Sequence, residues 1–545
     1  MLTGSTYQEI YENFRWDLPE VFNLGVALSD RYADGAGRPA IVFEDADSTI
    51  RRYTFDDLRA LSNRFANALR AMGVERGARV AILLSQRPEV PIVHIACFKI
   101  GAVSLPLFTL FGPEALEHRL GDSEAEILVT DADNLGKISA IRSRLPRLRR
   151  VVVVDRGQAD ADSDFWGLVE RASDALTPVA TAITDPALLC YTSGTTGNPK
   201  GVLHAHGFMI GHRPSIAFTH NFFPQPGDLF WTPADWAWGG GLFDSLFASL
   251  DVGIPVLAHR FRKFDPEKAF SLLAQHQVRN SFMPPTALKM MREVASPKTR
   301  WPYAMRSIAS GGEALGEEIL DWGRSVFDLT FNEFWGQTEA NLLVGNSMPV
   351  MPVKPGSMGR ALPGHIVEVI NAEGEVLSPG ETGILAAKRP DPVFFLGYWR
   401  QPQATADKYV KDWLVTGDVG YKDEDGYLWF VGRDDDIISS GGYRIGPGEI
   451  ENCIIQHPSV LMVAVVGSPD PVRGEIVKAF VVPRVGVEPT EEAAAEIQAH
   501  VKQRLAAYEY PREIEFVDAL PMTTTGKILR GELRKLERER KLKPG

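Results

Sequence analysis

Apolar residues recur along this chain at two alternating spacings. After Thr54-Phe-Asp-Asp57, the residues Leu58, Leu61, Phe65, Leu69 and Met72 return at helical intervals. That predicts an amphipathic helix opened by a capping box, with Thr54 and Asp57 serving each other's backbone N–H. The runs ARVAILL (78–84) and RVVVVD (150–155) are short and apolar, as buried strands are. Strands alternating with helices predict an α/β fold with a largely parallel sheet covered on both faces. Consecutive charges in GRDDD (432–436) interrupt this pattern. Beyond them come a helical stretch, 447–456, and two apolar runs, VLMVAVVG and IVKAFVVP. The expectation is a large N-terminal domain, 1–434, built of several subdomains with mixed, largely parallel sheets flanked by helices. A small α+β C-terminal domain, 435–545, follows it. The tail ELRKLERERKLKPG mixes charge signs at helical spacing and reads as a solvated helix.

At 545 residues the chain exceeds what one compact core organises. Lys and Arg number 58 against 70 Asp and Glu, a net charge of −12. That balance argues against a general affinity for nucleic acid or anionic membrane. Cys97, Cys190 and Cys453 are far apart and in no metal-binding spacing, as incidental thiols of a reducing compartment are. The start MLTGSTYQEIYENF lacks a basic-then-apolar leader, and no apolar run approaches the ~18 residues of a membrane span. A soluble, cytoplasmic protein is expected.

Candidate chemistry begins at YTSGTTGNPKG (191–201). Hydroxyls and backbone N–H groups around Gly194 and Gly197 could wrap an anion, with Lys200 as a mobile cation. Alone, the stretch could equally be a polar surface turn. GGEAL (311–315), FNEFWGQTE (331–339), WLVTGD (413–418), GRDDD, GGYRIGPGEIE (441–451) and TTTGK (523–527) follow it in order. Together these resemble the adenylate-forming superfamily of AMP-dependent synthetases and ligases over nearly the whole chain. Within it the chain resembles the acetyl-CoA and medium-chain acyl-CoA synthetases, SPDPVRGEIVKAFVV and YEYPREIEFV being particularly similar to the medium-chain branch.

The resemblance implies an AMP-forming ligase using ATP, Mg²⁺ and CoA. Thr192, Ser193, Gly194, Thr195, Thr196, Gly197 and Lys200 would cover the β- and γ-phosphates, with Thr196 and Glu339 at the metal. Thr338 would reach the α-phosphate, and Arg444 the α-phosphate or the substrate carboxylate. Gly311, Gly312 and Glu313 would lie against adenine, with Glu333, Phe334, Trp335, Gly336 and Gln337 completing the nucleotide site. Asp418 would clamp the ribose, supported by Arg433. Lys527 would bridge the carboxylate and α-phosphate, carried on a mobile C-terminal domain hinged at Asp435. Gly441, Gly442 and Tyr443 would wall a CoA tunnel, with Arg473, Tyr508 and Tyr510 near the CoA nucleotide.

Trp236, Trp238, Gly239, Gly240 and Gly336 would form the acyl pocket. Glycine stands at 336 where acetate-specific relatives carry an aromatic residue, so an acid larger than acetate is expected, a medium-chain or branched one. The bland alternatives are that Gly239–Gly241 is a flexible turn and that a tryptophan refills the space. Acetyl- or propionyl-CoA synthesis, a carrier-loading adenylation enzyme and a catalytically silent nucleotide-binding regulator are the other readings. Lys527 lies 18 residues from the end, so a carrier domain after it is not expected. His204 and His206 read as structural.

Overall fold

The computed structural model describes residues 2–158, 161–192, 199–313, 315–440, 443–471, 473–505, 509–523 and 527–542, the side chains of Tyr443, Arg444 and Leu542 apart. Among these residues the strands form four sheets. One has parallel neighbours Val103–Pro106, Arg79–Leu83, Ile127–Thr130 and Arg150–Val153 at its centre. Both apolar runs read as strands lie in it. Strand Pro186–Tyr191 extends this sheet, and Gly201–Ala205 returns antiparallel beside it. A second large sheet places Phe230–Trp231, Asn280–Phe282, Ser307–Gly311 and Asn332–Gln337 side by side and parallel.

Helix Glu89–Ile100 is buried along its whole length and shares one core with residues of both large sheets. A helix apolar on every side has to be covered on every side. Its single lysine, Lys99, is satisfied by Asp30 at 2.5 Å, Asn63 at 2.7 Å and Ser62 at 3.0 Å. Burial is the main cause that draws its ammonium down to about 8. The capping box expected before helix Phe55–Ala71 is present, Thr54 N–H donating to Asp57 and Asp57 N–H to the Thr54 hydroxyl.

A third, antiparallel sheet contains Gly383–Lys388, Trp413–Lys422 and Leu428–Arg433. The fourth is drawn entirely from residues after Ile437, around the long hairpin Val460–Asp470 and Gly474–Pro483. Helix Arg530–Leu542 covers it and is not merely solvated. Leu533 and Glu537, four residues apart on one face, are buried. Glu537 accepts from Ser468 Oγ at 2.9 Å and Lys478 Nζ at 2.8 Å, so part of the charge pattern is internal pairing. No helix among the described residues is long and apolar enough to cross a membrane.

Candidate active site

The glycine-rich loop leaves the end of strand Pro186–Tyr191 and returns into Gly201–Ala205. Thr192 N–H donates to the Lys200 carbonyl at 3.0 Å, closing its neck. Ser193, Gly194, Thr195, Thr196 and Gly197 lie outside the described residues. Lys200 Nζ sits 5.0 Å above the Tyr398 ring, a cation–π contact. The Tyr398 hydroxyl in turn donates to Glu339 Oε1 at 2.5 Å.

Thr338 and Glu339 form the turn between antiparallel strands Asn332–Gln337 and Ala340–Gly345. Glu339 is therefore held in a hairpin, buried beside Tyr398. Side chains alternate along the first strand. Phe334 packs toward Phe282 and Gly311. Trp335 and Gln337 reach the third sheet: Trp335 Nε1–H donates to Asp418 Oδ2 at 3.0 Å, and Gln337 Nε2–H to the Thr416 carbonyl at 3.1 Å.

Asp418 and Arg433 face each other across strands Trp413–Lys422 and Leu428–Arg433. Arg433 Nη1–H donates to Asp418 Oδ1 at 2.8 Å, so its partner is the proposed ribose acid itself. Burial raises the Asp418 carboxyl, while Arg433, Trp335 and Lys408 act against that rise.

Gly311 ends strand Ser307–Gly311, where an added Cβ would meet Phe334 at 2.8 Å. Gly312 has φ +97°, backbone that favours glycine. A Cβ there would stand 3.4 Å from the Trp238 ring and 3.6 Å from Lys527 Cε. The C-terminal lysine thus reaches the GGE segment from the fourth sheet's side of the molecule. Its own turn is fixed by Lys527 N–H donating to Thr523 Oγ1 at 3.0 Å. Burial is the main cause lowering its ammonium; Glu313 and Asp418 oppose that shift and Arg433 adds to it. Part of its side chain remains open, as expected of a group lining a crowded cleft. Burial likewise raises Glu313, which Lys289, Lys527 and Arg530 oppose.

The backbone at the acyl-pocket glycines is helix and strand. Gly239–Gly241 begins a helix that passes through a π-turn, Leu242–Phe247, and is not a flexible turn. The space Gly240 leaves is taken by Phe282 at 2.3 Å and Trp238 at 3.1 Å from its notional Cβ. Gly336 faces backbone, with Leu342 N 2.3 Å from its notional Cβ, so its lack of a side chain serves the hairpin. Gly239 alone of the three meets only an ordinary contact, Phe243 at 3.5 Å. Trp236 is buried with its Nε1 unpaired. His204 lies on strand Gly201–Ala205 and His206 in the turn after it; both are buried, and burial draws them down to about 3 and about 4. Both are neutral, which fits a structural role.

Farther out, Asp435 approaches Arg433 Nε at 3.6 Å and Arg534 Nη2 at 3.5 Å. Arg473 is exposed. Tyr510 lies between Lys502, 4.1 Å from its ring centre, and Arg512, 5.2 Å away. Gly441, Gly442 and Tyr508 fall outside the described residues, as do the side chains of Tyr443 and Arg444. Two neighbours of the acidic groups escaped the sequence reading, Tyr398 and Lys408. Nothing local marks Lys408: Lys411, three residues on, is exposed and pairs with Glu375.

Residues 29–399 match the family described as AMP-binding enzyme, and 449–527 match the AMP-binding enzyme C-terminal domain. The chain belongs to the AMP-binding enzyme family. Among AMP-binding enzymes it is 34% identical over 547 residues to the mitochondrial acyl-coenzyme A synthetase ACSM3 of Rattus norvegicus, covering 98% of this chain and 93% of that protein. It is 36% identical to the acetyl-coenzyme A synthetase of Bacillus subtilis (strain 168), over 97% of this chain and 95% of that one. The crystal structure of the anthranilate CoA ligase AuaEII in complex with anthranoyl-AMP superposes with a TM-score of 0.87 at 27% identity, covering 96% and 99% of the two chains. These AMP-binding enzymes share the arrangement of a large N-terminal and a small C-terminal domain.

Glu333 provides a pH test of the site's interior. It is buried, accepts the Leu315 N–H at 3.2 Å, and burial pushes its carboxyl up to about 7 from 4.5. A raised acid binds its proton more tightly folded than unfolded, so its contribution is intact below about pH 4.5 and is lost as pH rises through 7. Thermal midpoints between pH 5 and 8 are expected to fall more steeply for the parent than for Glu333→Gln. Equal slopes would contradict this environment.

Proposed function

We propose that this chain is an AMP-forming acyl-CoA synthetase, converting a carboxylic acid, ATP and CoA to acyl-CoA, AMP and pyrophosphate through an acyl-adenylate. The observation that carries the reading is the approach of Lys527 to Gly312 in a cleft electrostatically shared with Asp418 and Arg433. Chemistry of this kind needs charge neutralisation and in-line placement more than covalent help. Backbone at Gly311 and Gly312 offers a flat surface for a purine, and Asp418 can accept from two hydroxyls. Lys527 would neutralise negative charge as a carboxylate oxygen bonds to the α-phosphorus and pyrophosphate departs. CoA sulfur then bonds to the acyl carbon and AMP leaves.

Mg²⁺ fits a donor set of one buried carboxylate, Glu339, an oxygen ligand of the kind that hard cation takes. Mg²⁺ is commonly held by one or two carboxylates together with substrate phosphates. Glu339 would be that carboxylate, Tyr398 holding one of its oxygens, and the ion would neutralise phosphate charge. The names of the ACSM3 and Bacillus relatives support the thioester product, and the anthranoyl-AMP complex supports the adenylate.

For the acid we propose a medium-chain or branched carboxylate. Gly239 carries this reading, since Gly240 and Gly336 open no space, and each buried methylene favours a longer chain by ~0.8 kcal/mol. Turnover across C2–C10 straight and branched acids is expected to peak above acetate; acetate as best substrate would contradict the size reading. Lys527→Ala is expected to abolish acid-dependent pyrophosphate release while sparing thioester formation from supplied acyl-adenylate. Equal loss of both halves would contradict its assigned role.

A further inference from the structure

Lys408 is a cation held by neutral groups. Its backbone is fixed on both sides, its N–H donating to the Thr405 carbonyl at 3.2 Å and its carbonyl accepting from Val415 at 2.8 Å. Its half-buried side chain turns inward, and Nζ donates to Gln337 Oε1 and the Thr416 carbonyl, both at 3.3 Å. Those bonds are long and neutral. Among the described residues no carboxylate lies within ion-pair distance of it, whereas Arg433 is bonded to Asp418. Burial is the main cause drawing the Lys408 ammonium down; Glu339 and Asp418 oppose it, and Arg433 and Lys200 add to it. Lys408 therefore stands near the acid assigned to the metal and near Lys200, whose ammonium lies over the Tyr398 ring.

A partly desolvated, unpaired ammonium is unfavourable in the free protein. It becomes favourable once an anion arrives. Gln337 and Thr416 account for two of its three N–H bonds and leave one for a ligand. Lys200 and Glu339, its charged neighbours, belong to the loop and turn assigned to the phosphates beyond the α-position. We propose that Lys408 is a further nucleotide-binding residue, donating to the β/γ end of ATP's phosphate chain and thus to the pyrophosphate that departs. The proposal rests on the nucleotide reading above but not on the identity of the acid.

A rival role is purely structural: Lys408 could tie the Gln337 strand to the Thr416 strand. Equilibrium binding separates the two, because AMP lacks the phosphates the lysine would touch. MgATP and AMP are titrated separately into the parent enzyme, Lys408→Met and Lys408→Arg, without acid or CoA. A charge-assisted hydrogen bond supports a loss of about tenfold or more in MgATP affinity for Lys408→Met. AMP affinity is expected to change less than about threefold on the same scale, and Lys408→Arg to retain most of the ATP affinity. Equal weakening of ATP and AMP, or unchanged affinity for both, would overturn the proposal. Failure of the synthetase reading is a separate result, namely a parent enzyme that binds ATP but releases no pyrophosphate with any acid.

Discussion

Three lysines converge on one cleft and find no carboxylate within ion-pair distance among the described residues: Lys200, Lys408 and Lys527. Of the acids around them, Asp418 is engaged by Arg433 and Trp335 and Glu339 by Tyr398, while Glu313 acts on Lys527 only at longer range. The protein has left positive charge uncompensated in a partly desolvated place, where an anion is worth far more than in bulk water. An acidic chain with a basic cleft has a focused site and no general attraction for polyanions.

The fold accounts for how that charge is assembled. Lys200 comes from the neck of a hairpin in the first sheet, Thr338 and Glu339 from a hairpin turn in the second, Lys408 and Asp418 from the third, and Lys527 from the segment packed on the fourth. The bonds that span these units are few and directional. Trp335 to Asp418 and Gln337 to Thr416 tie the second sheet to the third. On the C-terminal side Arg530 holds Glu451 at 2.6 Å, and Arg534 reaches Asp435 and Asp436 beside the expected hinge. The proposed motion of this unit about Asp435 would carry Lys527 without requiring either large sheet to change.

Much of this was legible in the sequence because the determinants are local. The capping box at Thr54, the strands at 79 and 150, and the long C-terminal hairpin follow from spacing alone. The motif residues Glu339, Asp418 and Lys527 carry recognisable neighbours. What escaped depends on tertiary contacts. The tail's Glu537 is buried only because Lys478 and Ser468 lie on the strand pair it covers. The glycines at 240 and 336 suggested an open pocket, but an aromatic ring and a neighbouring backbone fill what they leave. Lys408 has no local signature at all, since its distinction from Lys411 is the company it keeps after folding.

The cleft is proposed to direct a carboxylate oxygen to the α-phosphorus of ATP. Isotope transfer follows that oxygen. The enzyme is supplied with ATP, CoA and an acid labelled with ¹⁸O in its carboxylate, and AMP and pyrophosphate are analysed by mass spectrometry. One labelled oxygen in AMP and none in pyrophosphate is the predicted result; label in pyrophosphate or phosphate, or unlabelled AMP formed alongside acyl-CoA, would contradict it.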